Sequence, residues 1–118
     1  CVGLLHTEHN KPEKALRQMQ TEFFLQNMQV NALASMLIAK HIKPLLKNAE
    51  RSTDNPAIFA TISARVGSIS DNELGGWYSY RMSKAALNMG MKTLSIEWSR
   101  SLKDVCVVVM QLIALRPY

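Results

Sequence analysis

From Phe24 onward, apolar and small residues recur at steps of three and four: Phe24, Met28, Asn31, Ser35, Ile38 and Ile42 fall on one stripe, which Leu33, Ala34 and Leu37 widen. That spacing predicts an amphipathic helix. Thr21 with Glu22 marks its start, and Pro44, which has no N–H to donate, predicts a kink or an end nearby. A second long helix is predicted from about Trp77 to Ser101. Tyr80, Lys84, Leu87, Met91, Leu94 and Trp98 share one stripe, and Met82, Ala86, Met89, Thr93 and Ile96 share another. Two apolar stripes imply burial on two sides. Between the helices, the run Ala57 to Ile62 has few polar atoms and suits a buried parallel strand. Valine-rich Val105 to Met110 predicts another strand, and residues 1–5 read as the end of a third. Pro12 fits a first helical position, so Glu13 to Met19 predicts a short helix. The stretches Asn48 to Asn55 and Ala64 to Gly76 read as loops.

Strands alternating with helices predict an α/β fold with a parallel sheet. Three strands with open edges are part of a sheet, not a finished one, and such edges invite pairing. The apolar fraction of 47% fits a globular chain and excludes disorder. No run reaches the ~18–20 apolar residues of a membrane span, and the start lacks the basic and small-residue features of a signal peptide. A cytoplasmic protein without membrane association is therefore expected. The formal charge of +5 raises nucleic acid as a partner, but the basic residues are dispersed and often sit beside acidic ones, so nucleic-acid binding is not expected. Cys1 and Cys106 lie in no metal-like spacing and read as reduced thiols. His6, His9 and His41 form no ligand cluster, so no metal is expected.

The segment Gly75-Gly76-Trp77-Tyr78-Ser79-Tyr80-Arg81-Met82-Ser83-Lys84-Ala85-Ala86-Leu87-Asn88 carries the candidate chemistry. Tyr80 and Lys84 are four apart at the start of a helix and share a face. An ammonium one turn from a phenol favours the phenolate and predicts a lowered tyrosine pKa. That would make the phenol a proton donor and acceptor near neutrality.

Tyr-x-x-Ser-Lys-Ala-Ala-Leu-Asn, after a glycine-bearing loop and a buried strand, resembles the active-site helix of short-chain dehydrogenases/reductases. Ser63-Ala64-Arg65-Val66-Gly67-Ser68-Ile69 resembles that family's serine segment, Val30-Asn31-Ala32-Leu33 its asparagine segment, and Cys1-Val2-Gly3 the tail of its Asn-Asn-Ala-Gly motif. The wording Gly-Gly-x-Tyr-x-Tyr-Arg-x-Ser-Lys is similar to the family's C-factor and sniffer-type carbonyl reductases.

The resemblance implies a partial Rossmann-like fold (a doubly wound parallel sheet in three layers), with residues 1–118 as the C-terminal part of one NAD(P)-binding domain. It implies that Tyr80 is the general acid for carbonyl reduction and the base for alcohol oxidation. Lys84 would tune Tyr80 and bind the nicotinamide ribose, Asn31 would hold a water in a proton relay, and Gly3 would border the NAD or NADP site. The expected substrate is a small carbonyl or alcohol. The expected assembly is a homodimer or homotetramer through helices 21–43 and 77–101, where Ala85, Ala86 and Gly90 permit close approach.

Three departures stand out. The family's serine usually falls three residues before the loop glycine, where this chain has Ala64; Ser63 is the candidate replacement, with Ser68 beyond the glycine. The Pro-Gly turn that usually follows the last strand is missing from Met110-Gln111-Leu112-Ile113. No Gly-rich phosphate loop occurs anywhere in the 118 residues, so the chain by itself is expected to be inactive. The alternative is a non-catalytic oligomerisation module derived from the same fold.

Overall fold

The structure, a computed structural model, describes residues 3–112. A single-turn 3-10 segment, Leu16–Gln18, precedes a long helical run. That run comprises α1 (Thr21–Met28), a π-helical segment (Gln29–Leu33) and α2 (Ala34–Asn48). Strand β1 (Ala57–Ala64) follows, then a 3-10 turn (Arg65–Gly67), α3 (Tyr78–Ser101) and β2 (Val105–Leu112). The strands pair in parallel from Ala57 opposite Val105 to Ala64 opposite Leu112, with α3 as the crossover. The fold is the expected α/β type.

Helices cover one face of this two-stranded sheet. Leu87 and Met91 of α3 pack with Ala32 of the π segment against Phe59 and Val107. Trp98 and Leu102 pack with Ala39 of α2 against Phe59, Val105 and Val107. The Phe59 and Trp98 rings meet edge to face at 5.4 Å. Successive strand residues point to opposite faces, so Phe59, Thr61 and Ser63 face the helices. Ile58, Cys106 and Met110 lie on the other face and are exposed. Of three expected layers, the described residues form two.

Several expectations need correcting. Residues 3–5 form no strand, and Cys1 and Val2 lie outside the described residues. Asn31 takes the place of a strand partner there: its Oδ1 accepts the Leu4 N–H at 2.6 Å and its Nδ2 donates to the Leu4 carbonyl at 2.8 Å. The helix expected over Glu13 to Met19 shrinks to Leu16–Gln18, because Glu13 is drawn into a tertiary contact with α3. Pro44 does not end α2, which runs on to Asn48. Pro44 and Lys40 are both exposed, so the carbonyl that Pro44 cannot serve lies on the solvent side.

The two stripes of α3 separate cleanly. Leu87, Met91 and Trp98 are core, whereas Met82, Met89 and Ile96 are exposed. Gly90 admits a helix of this same chain: a Cβ there would lie 2.9 Å from Met36 Sδ. Its smallness is thus used within the chain, and Ala86 likewise packs on the Leu87 core. Among the described residues no helix is long and apolar enough to cross a membrane.

Candidate active site

The site is built where the first turns of α3 meet the π segment and the C-terminal end of β1. A π-helical insertion changes the helical register locally and is frequent at functional positions. Here it carries Asn31, which is 1% exposed. Asn31 Nδ2 also donates to Ser83 Oγ at 2.9 Å and to Asn27 Oδ1 at 3.2 Å. Ser83 Oγ in turn donates to the Tyr80 carbonyl at 2.8 Å. The amide of Asn31 is therefore committed to protein partners and ties Leu4, the π segment and α3 together.

Lys84 is buried, and its Nζ donates to the Ile62 carbonyl at 3.2 Å and lies 5.7 Å from the Tyr80 ring centre. A Cβ placed on Gly3 would lie 3.7 Å from both Lys84 Nζ and Asn31 Oδ1. Gly3, Asn31, Lys84 and Tyr80 thus come together. The turn after β1 presses on the same place. A Cβ on Gly67 would lie 2.8 Å from the Lys84 carbonyl carbon and Cβ, so only glycine lets this turn seat against α3.

Ser63 faces the helices, 1% exposed, with an Oγ that has no hydrogen-bond partner. Its neighbour Ala64 points to the opposite face of the sheet. Ser68, half-buried, is spent on Ser70 Oγ and the Asp71 N–H.

The electrostatics differ from the sequence expectation. Burial raises the Tyr80 phenol above its ordinary 10.0, and burial lowers Lys84 below its ordinary 10.5. The ammonium is turned toward the Ile62 carbonyl, so desolvation outweighs its pull on the phenol.

Sequence reasoning missed Glu13, Ser79, Ser83, Asn27 and the contact of Gly67 with Lys84. For Ser83 the signal was present, since it shares the buried stripe of Lys84 and Leu87 at one step's remove. For Glu13 no local signal existed, because its partner is 66 residues away.

On this parallel α/β fold the crossover helix thus carries a Tyr–Lys pair next to an asparagine-held backbone and an unpartnered serine. The chain is similar to several known proteins. No family model matches the chain. It is 37% identical over 62 residues to 1-hydroxy-2-glutathionyl-2-methyl-3-butene dehydrogenase of Rhodococcus sp. (strain AD45), a match covering 52% of this chain and 24% of that enzyme. It is 35% identical over 68 residues to the C-signal protein of Myxococcus xanthus, covering 58% of this chain and 38% of that protein.

Among solved structures, the carbonyl reductase Sniffer of D. melanogaster superposes with a TM-score of 0.78 at 27% identity, over 93% of this chain and 44% of that one. A Burkholderia multivorans protein described as a short-chain dehydrogenase/reductase with bound NADP superposes with a TM-score of 0.69 at 27% identity, over 91% of this chain and 42% of that one. The chain therefore spans less than half the length of these relatives. In both sequence and fold the chain is similar to dehydrogenases and carbonyl reductases of the short-chain dehydrogenase/reductase type.

Proposed function

We propose that this chain is the Tyr–Lys portion of an NAD(P)-dependent oxidoreductase that interconverts a small-molecule carbonyl and its alcohol, and that residues 1–118 are the C-terminal part of one Rossmann-like domain. The observation that carries this reading is the convergence of Gly3, Asn31 and Lys84 on one point beside Tyr80. The residues fit a dinucleotide: Gly3 offers exposed backbone without a side chain, Lys84 has donors beyond the one given to Ile62, and Ser63 holds an unpartnered hydroxyl. NAD or NADP would supply the hydride when bound. Tyr80, kept protonated by burial, gives its phenolic proton to the carbonyl oxygen and recovers it in the reverse direction. Lys84 holds the cofactor's ribose and carries positive charge to the phenolate as it forms. Ser63 orients the substrate oxygen, a role its neighbour Ala64 has no hydroxyl to fill. Asn31 fixes Leu4 and Ser83 around the site, and its place in a water relay is carried over from the family resemblance.

The test is steady-state carbonyl reduction in a protein that joins these residues to a phosphate-binding loop. Tyr80→Phe is expected to lower kcat by about 100-fold or more, as for loss of a general acid, while leaving NAD(P)H binding intact. Lys84→Ala should damage both, and Ser63→Ala should be milder. Unchanged turnover in Tyr80→Phe overturns the reading. The 118 residues alone, without a Gly-rich loop, are expected to turn over no substrate.

A second reading, assembly through α2 and α3, is favoured by the exposure of Leu37, Ile38 and Leu45 on one helix and Met82, Met89 and Ile96 on the other. It predicts a homodimer or homotetramer by sedimentation, weakened by Met89→Glu. A monodisperse monomer would count against it.

A further inference from the structure

We propose that Glu13 is a positioning residue for Tyr80, an inference that rests on reading Tyr80 as the proton donor: its buried carboxylate is the missing N-terminal cap of α3. A helix leaves its first four N–H groups without internal partners. Trp77, the residue before α3, offers no capping side chain, and the first turn contains no acidic residue. Glu13 reaches in from 66 positions away. Its Oε2 accepts the Ser79 N–H at 3.3 Å, and its Oε1 accepts the Ser79 hydroxyl. Its main-chain carbonyl accepts the Trp77 N–H. Glu13 is 2% exposed, and the ion pairs among the described residues, Lys43–Glu97 and Arg65–Asp71, do not include it. What holds this carboxylate is the positive end of the helix and the Ser79 hydroxyl.

The same contact fixes an unusual turn. Gly75, Gly76 and Trp77 are consecutive residues in the left-handed region, with φ of 65°, 67° and 53°. A Cβ on Gly76 would lie 3.3 Å from the Glu13 carbonyl oxygen. Left-handed backbone at a tryptophan persists only where surroundings enforce it, and here the Glu13 carbonyl holds the Trp77 N–H. The Trp77 ring then stands edge-on to Tyr80, with centres 6.2 Å apart and planes at 73°. Glu13 thus grips the residues at 77 and 79, and Tyr80 follows directly. Lys84 faces the phenol ring, and among the described residues Glu13 shares no ion pair with it.

The experiment is a titration of isotope-labelled tyrosine by NMR, with Tyr80→Phe to assign the Tyr80 signal, together with hydrogen exchange of the Ser79 amide. In Glu13→Ala, Tyr80 should titrate closer to its ordinary value, and Ser79 exchange should quicken roughly tenfold, as for loss of a strong cap. Glu13→Gln keeps an acceptor and should recover most of both effects. Leu102→Ala, at the far end of α3, should lower stability and move neither. If Glu13→Ala does not fold, Ser79→Ala, which removes only the hydroxyl contact, carries the same two readouts. A Tyr80 titration unchanged by Glu13→Ala, or shifted equally by Leu102→Ala, overturns the proposal and leaves Glu13 a stability residue. Neither readout needs turnover. A shifted titration alongside full activity in Tyr80→Phe would therefore refute the catalytic reading and support the positioning.

Discussion

The two ends of α3 are buried by different means. At its N-terminal end the buried residues are Ser79, Ser83 and Lys84, with Asn27, Asn31 and Glu13 around them. Each of these side chains has at least one hydrogen-bond partner. At the C-terminal end the buried residues are Leu87, Met91, Trp98 and then Leu102, packed on Phe59, Leu94, Val105 and Val107. Apolar burial is non-directional and scales with area, at about 25 cal/mol per Å². A hydrogen bond adds only about 1 kcal/mol net, but losing one partner strands the other at a cost of about 1–3 kcal/mol. The apolar end therefore anchors the helix, and the polar end decides where its side chains point. One helix does both because its inner stripe changes chemistry at Lys84.

Substitutions at the two ends should separate accordingly. Trp98→Ala is expected to have the largest effect, a loss of about 3–5 kcal/mol in denaturant unfolding, with little change in the Tyr80 titration. A large Tyr80 shift in that variant would mean that the ends are not independent. Asn31→Leu should cost less, about 1–3 kcal/mol, because it strands Leu4 and Ser83 without opening a large void. Its signature is faster hydrogen exchange of the Leu4 amide; protection equal to the wild type would show that Asn31 does not hold that segment.

The smallest effect concerns pH. The folded-state pKa of Tyr80 is raised, so its contribution to stability is full below pH 10.0 and is lost as pH rises through the folded value. Lys84 runs the other way, since its folded-state pKa is lowered and stability is gained as pH climbs from that value toward 10.5. Tyr80→Phe removes the first contribution alone. Its unfolding free energy should then fall less than the wild type's above pH 10, as measured by denaturant titration across alkaline buffers. Identical slopes would place the phenol in water.

The helix α3 was legible in the sequence almost to the residue, because 24 residues at a helical period leave little ambiguity; burial of both its stripes was expected, but the stripe of Met82, Met89 and Ile96 is exposed. Tyr80 and Lys84 were legible as neighbours for the same reason. Both strands were found, each two residues short at its C-terminal end: the apolar run stops at Ile62 and Ala64 reads as the start of a loop, while Gln111 interrupts the valine run. What stayed hidden depends on distant partners. Glu13 reads as a first-turn helical residue until Ser79 is brought beside it. Residues 3–5 read as strand, but Asn31 occupies the N–H and carbonyl of Leu4 in their middle. The direction of the Tyr80 shift also needed the fold, since spacing alone shows the lysine but not the carbonyl toward which it turns.

The parallel pairing of β1 and β2 has a kinetic consequence. Ala57 and Val105 are register partners separated by the whole of α3. No tight turn joins the strands, so their ladder has no hairpin end from which to zip. Closing so long a loop costs chain entropy before any strand contact rewards it. Helix α3 carries Leu87, Met91 and Trp98 on its inner stripe and is formed from local bonds alone. It is the element onto which Phe59 from one strand and Val107 from the other can dock separately. The order of folding expected from this topology is crossover first and sheet last, with the helix as the template on which two remote strands find their register.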